Sequence, residues 1–278
     1  MHFFTDLLTY PFLQYALIAG LLASVSTGVV GSIIVVRRST YIAGAISHCV
    51  LGGMGVARYM QTVYDIGWLT PLTGATIAAI VAAAAIGLAT LYGKERIDSV
   101  LSIVWALGMA LGITFIMKTP GYGQDLMSYL FGSILMVSPQ DLILMLILGL
   151  VIIVLISLFY NSIVTILFHE EAAVVHGIPV GLYTLIILIL TALTVVLLVQ
   201  VVGIVLVIAL LTIPAATVSL FARRLSTIML VSGILCFLSI LGGIVISYEP
   251  ELPVGATIIE LSAVVYLAAL VAKRWKGR

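Results

Sequence analysis

The sequence predicts an all-α, polytopic helical membrane protein with about nine transmembrane helices. Of the 278 residues, 63% are hydrophobic and only 8% are charged, and the formal net charge is +1. Several apolar runs are long enough to cross roughly 30 Å of hydrocarbon at about 1.5 Å per residue. No stretch is left for a soluble domain, so residues 1–278 are expected to form a single transmembrane domain, without a nucleic-acid partner.

Nine apolar segments are predicted as spans, and the expected number is eight or nine. They lie at 11–36, 41–60, 71–92, 99–117, 141–160, 181–200, 202–221, 226–247 and 254–272. No basic region precedes the first and no small-residue cleavage site follows it, so we interpret it as a retained span rather than a signal peptide. Residues 127–137 are too short to cross, and a re-entrant helix is the candidate structure there.

The basic residues orient the chain in the membrane. When the spans are threaded in order, ten of the twelve basic residues fall on one side, which the positive-inside rule assigns to the cytoplasm. They are Arg37, Arg38, Lys94, Arg96, Arg223, Arg224, Lys273, Arg274, Lys276 and Arg278. We therefore expect the N-terminus outside and the C-terminus in the cytoplasm.

Acidic residues fall in or near the outer connections. Asp65, Asp125, Glu249 and Glu251 are among them, and an acidic outer mouth would concentrate cations. The alternative is that these loops are simply polar, because acidic residues carry little information about topology.

His48 stands in the middle of the second predicted span. An ionisable side chain at membrane depth is costly to insert and indicates a functional site by default, here a ligand for a metal ion or a proton. The alternative is a histidine that bonds a carbonyl group on a neighbouring helix. Small or polar residues of the same helix are candidates for pore lining or close packing: Gly44, Ser47, Cys49 and Gly52.

The longest interior connection, residues 161–181, contains the sequence FHEEAAVVHGIP. Its acidic start, its small apolar face and its glycine and proline predict a short helix parallel to the membrane. Such a helix suits docking into a groove on a soluble partner, whereas a helix that lies on lipid usually carries Lys or Arg. The residues assigned to this coupling segment are Glu170, Glu171, Ala172, His176 and Gly177.

Five stretches resemble the membrane permeases of bacterial ABC importers for divalent metals, the zinc, manganese and iron group. They are RRSTYIAGAISHCVLGG (37–53), DLMSYLFGSILMVSPQDL (125–142), HEEAAVVHGIP (169–179), VVGIVLVIALLTIPAAT (201–217) and LPVGATI (252–258). They occur in the family's order and cover the chain nearly from end to end.

The resemblance implies a homodimer of permease subunits in a bacterial inner membrane, with a fold similar to the vitamin B12 and siderophore importers. It also implies two cytoplasmic ATP-binding subunits and an external metal-binding lipoprotein. No cofactor would be bound permanently, and zinc or manganese would be the transported ion. The chain has no GxxxxGK(S/T) loop, so energy for alternating access is expected from the partner, and the chain is not expected to be an enzyme.

The resemblance further assigns His48 to a histidine that is associated with metal passage. Many relatives have an aspartate one helical turn earlier, where this chain has Gly44. The missing carboxylate weakens a manganese site and leaves an imidazole that suits zinc, iron or nickel. Cys49 lies about 100° around the helix from His48, so the two are not expected to bind one ion. Two His48 side chains across a dimer axis are an alternative pair.

Glu260 lies about two turns inside the ninth predicted span. A carboxyl group at that depth should face protein or water, which makes Glu260 a second candidate for the metal path. Protonation or a bond to a neighbouring group are the alternatives, and the resembled family does not generally carry a carboxylate there.

Two other classes of function agree less well with the sequence than an importer subunit. A secondary transporter working alone would normally show more buried charge and inverted repeats, and neither is found. An integral-membrane enzyme would need a motif such as HExxH or GxSxG at membrane depth, and the sequence has neither.

Overall fold

The computed structural model describes residues 3–93, 96–120, 132 and 134–276. Every regular element in this part of the chain is a helix. The α-helices are α1 (Phe3–Thr9), α2 (Pro11–Val36), α3 (Thr40–Tyr64), α4 (Pro71–Tyr92), α5 (Ile97–Lys118), α6 (Pro139–Phe168), α7 (Glu170–Val175), α8 (Val180–Val202), α9 (Ile204–Ser219), α10 (Leu225–Tyr248) and α11 (Val254–Lys276), and a 3-10 turn covers Ile134–Met136. Most of the candidate re-entrant segment, 127–137, lies outside the described residues, as does Asp125.

Eight helices of the described chain are long and apolar enough to cross a membrane, namely α2 to α6, α8, α10 and α11. The seventh predicted span corresponds to α9, which has only 16 residues and is therefore about 24 Å long. It begins after Gly203, whose φ of 80° interrupts the helical path. The predicted all-α polytopic fold with eight or nine spans is confirmed.

Helix α6 is longer than the predicted fifth span. It runs for 30 residues, from Pro139 to Phe168, instead of ending near residue 160. Asn161 does not stop it, because one asparagine costs a helix less than about 1 kcal/mol while the following Ile163 and Ile166 are buried. The interior connection therefore begins at His169, eight residues later than the sequence suggests.

One compact unit contains residues 1–38, 131–160 and 201–278. Within it α2 packs against α9 and α10, and α11 packs against the same two helices. Helices α2 and α10 come into backbone contact, since a methyl group added at Gly28 would lie 2.7 Å from the Cα of Gly233. Beside this contact the Thr27 hydroxyl lies 3.2 Å from the Cys236 sulfur. Small residues thus permit the close packing that associates helices in lipid.

The second compact unit contains residues 39–130 and 161–200, and α3 packs there against both α4 and α5. A methyl group added at Gly52 would lie 2.8 Å from the carbonyl oxygen of Gly108, and one added at Gly55 would lie 2.7 Å from that of Gly112. Because the paired positions advance together, α3 and α5 run parallel. Their backbones are in contact on the face of α3 that carries His48.

Candidate functional site

His48 is buried between α3 and α5, with only 8% of its surface exposed. Its ring stacks on the indole of Trp105, with centroids 4.4 Å apart and planes 22° apart. The buried Nδ1 atom has no hydrogen-bond partner within the described residues. Leaving such an atom unpaired costs about 1–3 kcal/mol, so the arrangement calls for a functional explanation. At Nδ1 the geometry does not support the alternative of a bond to a neighbouring carbonyl group.

Gly44 lies one turn before His48, and its lack of a side chain makes room for Trp105. A methyl group added at Gly44 would lie 2.6 Å from Cζ3 of that indole. The volume beside His48 that a side chain at position 44 would need is therefore filled by a ring from α5. The structure thus gives a physical context for the glycine at this position.

Trp105 is the site residue that sequence reasoning missed. A signal for it does exist, because Asp98, Ser102 and Trp105 follow one another at intervals of four and three residues on the largely apolar α5. That spacing places them on one face of the helix. The sequence alone does not say that this face meets His48.

The other two candidates beside His48 point elsewhere. Ser47 is fully buried and donates to the carbonyl oxygen of Ala43 at 2.7 Å, which is a bond within its own helix. The Cys49 sulfur lies 3.6 Å from the carbonyl oxygen of Ala78 on α4 and lines an apolar cavity of about 370 Å³. His48 and Cys49 therefore face different neighbouring helices. Gly52 lies at the contact between α3 and α5, where its lack of a side chain lets the two backbones touch.

Helix α7 is the predicted short helix, and hydrogen bonds at its C-terminal end stabilise it. The Ile178 amide donates to the carbonyl oxygen of Ala173, and the Gly177 amide donates to that of Val174. Gly177 has a φ of 72°, as this helix-ending motif requires. The Nδ1 atom of His176 lies 2.7 Å from the carbonyl oxygen of Ala172. Local hydrogen bonds therefore fix the end of α7.

The side chains of α7 divide into one buried anchor and an exposed surface. Ala173 is fully buried, while Val174 and Val175 are 62% and 84% exposed. Glu170 and Glu171 are also exposed, in the first turn. The helix thus presents two acids and two valines together, and α7 has no Lys or Arg.

The remaining candidates are not assembled into one site. Glu260 is an exposed residue of α11, and Asp65, Glu249 and Glu251 are exposed at or just beyond the ends of helices. Asp65 belongs to a different compact unit from the other three, so an acidic mouth stays a prediction. No group of three His, Cys, Asp or Glu side chains in the described part of the chain could hold a metal ion.

The model of the ABC 3 transport family matches residues 9–273. The chain belongs to the ABC 3 transport family. This match covers all nine predicted spans, and it confirms the family resemblance that the five sequence stretches carry. The chain is accordingly a multi-pass permease subunit of an ABC transporter.

Named relatives match this family member over nearly their whole length. A "Probable metal transport system membrane protein" of Chlamydia trachomatis is 37% identical over 264 residues, which cover 95% of this chain and 90% of that protein. The manganese transport system membrane protein MntC of Halalkalibacterium halodurans is 33% identical over 284 residues, with 99% and 95% covered. The solved structure of PsaBC from Streptococcus pneumoniae in complex with Fab matches with a TM-score of 0.85 and 29% identity, covering 96% of this chain and 94% of that chain.

Proposed function

We propose that this chain is the membrane-spanning permease subunit of an ATP-driven importer that moves a divalent transition metal ion into the cytoplasm by alternating access. The observation that carries this proposal is the buried His48 imidazole, whose Nδ1 atom has no partner within the described residues. A neutral imidazole is the commonest metal ligand in proteins, and a buried one in a membrane helix is functional by default. Names of relatives that refer to metal and manganese transport support the same conclusion.

The proposed cargo is zinc or manganese, and two observations favour different metals. Gly44 supplies no carboxylate, and the space beside it is filled by the indole of Trp105. A lone imidazole suits zinc, whereas manganese prefers carboxylate and other oxygen ligands. Three of the relatives, on the other hand, are named for manganese transport or import. With no three-ligand group in the described chain, we infer that His48 contacts an ion in transit, or pairs with a second His48 across a dimer axis.

We propose that two copies of the chain assemble with two cytoplasmic ATP-binding subunits and receive the ion from an external metal-binding lipoprotein. Helix α7 would dock into the ATP-binding subunit, because its exposed acids and valines offer both charge and apolar surface on a short, well-capped helix. The absence of Lys and Arg from α7 argues against a helix that merely lies on lipid. The basic residues between spans support a cytoplasmic location for this end of the molecule.

The test is metal uptake by His48→Ala in cells that lack their own importer and grow with scarce metal. We expect loss of zinc and manganese uptake at wild-type protein level, because alanine is helix-compatible and costs less to insert than histidine. Ser47→Ala is the matched control, since it removes only a bond within the same helix. His48→Gln and His48→Asn keep a hydrogen-bond donor, so near-normal transport by these variants would indicate a packing role.

Normal uptake of both metals by His48→Ala would end the assignment of this residue to the metal path. A stand-alone secondary transporter is the alternative function. It would be supported if the chain moved metal in liposomes without any ATP-binding subunit.

A further inference from the structure

A groove that the proposed metal path does not yet use lies between the first turn of α3 and the first three turns of α5. Its volume is about 530 Å³, and its lining consists of Tyr41, Asp98, Leu101, Ser102 and Trp105. Tyr41, Ser102 and Asp98 are the polar residues of this lining. The Ser102 hydroxyl donates to the backbone carbonyl oxygen of Asp98 at 2.8 Å. The Asp98 carboxylate is therefore the group of the lining that suits a divalent cation that is still partly hydrated.

Trp105 separates this groove from His48. The indole lines the groove and also stacks on the imidazole, at a centroid distance of 4.4 Å. His48 itself does not line the groove and is only 8% exposed. The indole therefore covers the imidazole on the side where the groove lies.

The indole borders open space in the groove. A rotation about its own side-chain bonds, from one staggered rotamer to another, is the movement that would carry the ring away from His48. Its seat beside His48 depends on Gly44, because a methyl group at that position would lie 2.6 Å from Cζ3. A single added methyl group should therefore displace the ring while leaving both backbones in place.

We propose that Trp105 is the inner shutter of the metal path. With the indole on His48, the imidazole is closed towards the groove; when the indole swings into the groove, the ion passes from His48 towards the carboxylate of Asp98. This inference rests on the proposed function, and it adds a gating residue and an exit compartment to it.

The test is the accessibility of position 48 to a cationic methanethiosulfonate reagent in full-length protein. His48→Cys is introduced together with Cys49→Ala, and the remaining Cys236 is fully buried and serves as the unreactive background. The reagent is applied to the cytoplasmic face of inside-out vesicles. If the open state is a minor one of ~10% or less, replacing Trp105 by alanine should speed labelling at least about tenfold.

Two further variants keep the test sharp. Trp105→Phe retains a flat ring and should label about as slowly as the tryptophan form. Gly44→Ala should speed labelling although the indole is still present, and it carries the test if Trp105→Ala fails to fold. Folding is checked by size-exclusion chromatography.

Equal labelling rates with tryptophan and alanine at position 105, or slow labelling of folded Gly44→Ala, would overturn the proposal that Trp105 closes the path at His48. Labelling only from the opposite face would overturn its inner position. Because labelling requires no metal, this failure is separate from that of the proposed function, which would appear as normal uptake by His48→Ala.

Discussion

Gly52→Ala should weaken the contact between α3 and α5 that holds His48 against Trp105. The added methyl group would lie 2.8 Å from the carbonyl oxygen of Gly108 and 3.2 Å from its Cα. Both are backbone atoms, so no side chain can rotate away. Ordinary contact begins at 3.4 Å, and the helices must separate by about 0.6 Å, the difference between 3.4 and 2.8.

Gly149→Ala in α6 is the matched control, because an added methyl group there would meet, among the described residues, only the Ser26 hydroxyl oxygen, at 3.6 Å. Both substitutions gain about 1 kcal/mol of helix propensity. The difference between them therefore isolates the cost of overpacking, which is typically about 1–3 kcal/mol. At about 2–4 °C per kcal/mol for a chain of this size, Gly52→Ala should melt roughly 2–12 °C below Gly149→Ala.

The assay is the midpoint of heat-induced unfolding of the detergent-purified protein, with both variants measured at the same detergent concentration and heating rate. The reasoning is refuted if Gly52→Ala melts at or above the temperature of Gly149→Ala. In that case α3 and α5 could move apart without a loss of stability, and the position of His48 against Trp105 would not depend on this contact.

Two other variants, one with two substitutions and one with a single substitution, test the N-terminal ends of α7 and α6. Lysine at both Glu170 and Glu171 should reduce co-purification with the cognate ATP-binding subunit, because charge complementarity is lost, while membrane insertion stays intact; unchanged co-purification would contradict the docking assignment. Ser138→Ala removes a hydroxyl group that donates to the Asp141 carboxylate at 2.6 Å and accepts a hydrogen bond from the Asp141 backbone amide. The free energy of unfolding should therefore fall by about 0.5–2 kcal/mol, which the same melting assay measures. An unchanged melting midpoint would show that this end of α6 is stabilised by other contacts.

The sequence by itself determined the class of the protein and the course of its helices. In lipid each span must satisfy its own backbone hydrogen bonds, so a long apolar run is enough to specify a helix. Helix α7 could likewise be predicted, because its acidic start and its glycine at the C-terminal end are local signals. His48 could be identified from its insertion cost alone, because an ionisable side chain at membrane depth is expensive to insert and therefore indicates a function.

The extent of α6 was underestimated because a single polar residue, Asn161, does not outweigh the buried isoleucines that follow it. Propensity is a local quantity, whereas the energy that extends this helix comes from residues packed against it. Sequence patterns therefore predict where α6 lies in the chain but do not predict where it ends.

Only the tertiary structure decided what His48 touches. Trp105 stands 57 positions further along the chain, and nothing near either residue in sequence links them. They meet because glycines bring α3 and α5 into backbone contact and because Gly44 leaves a space of the right size. The same contact explains why a carboxylate at position 44 and an indole at 105 cannot occupy the space together. Close packing is a relation between distant segments, so it is decided where helices meet and not by the pattern of either one.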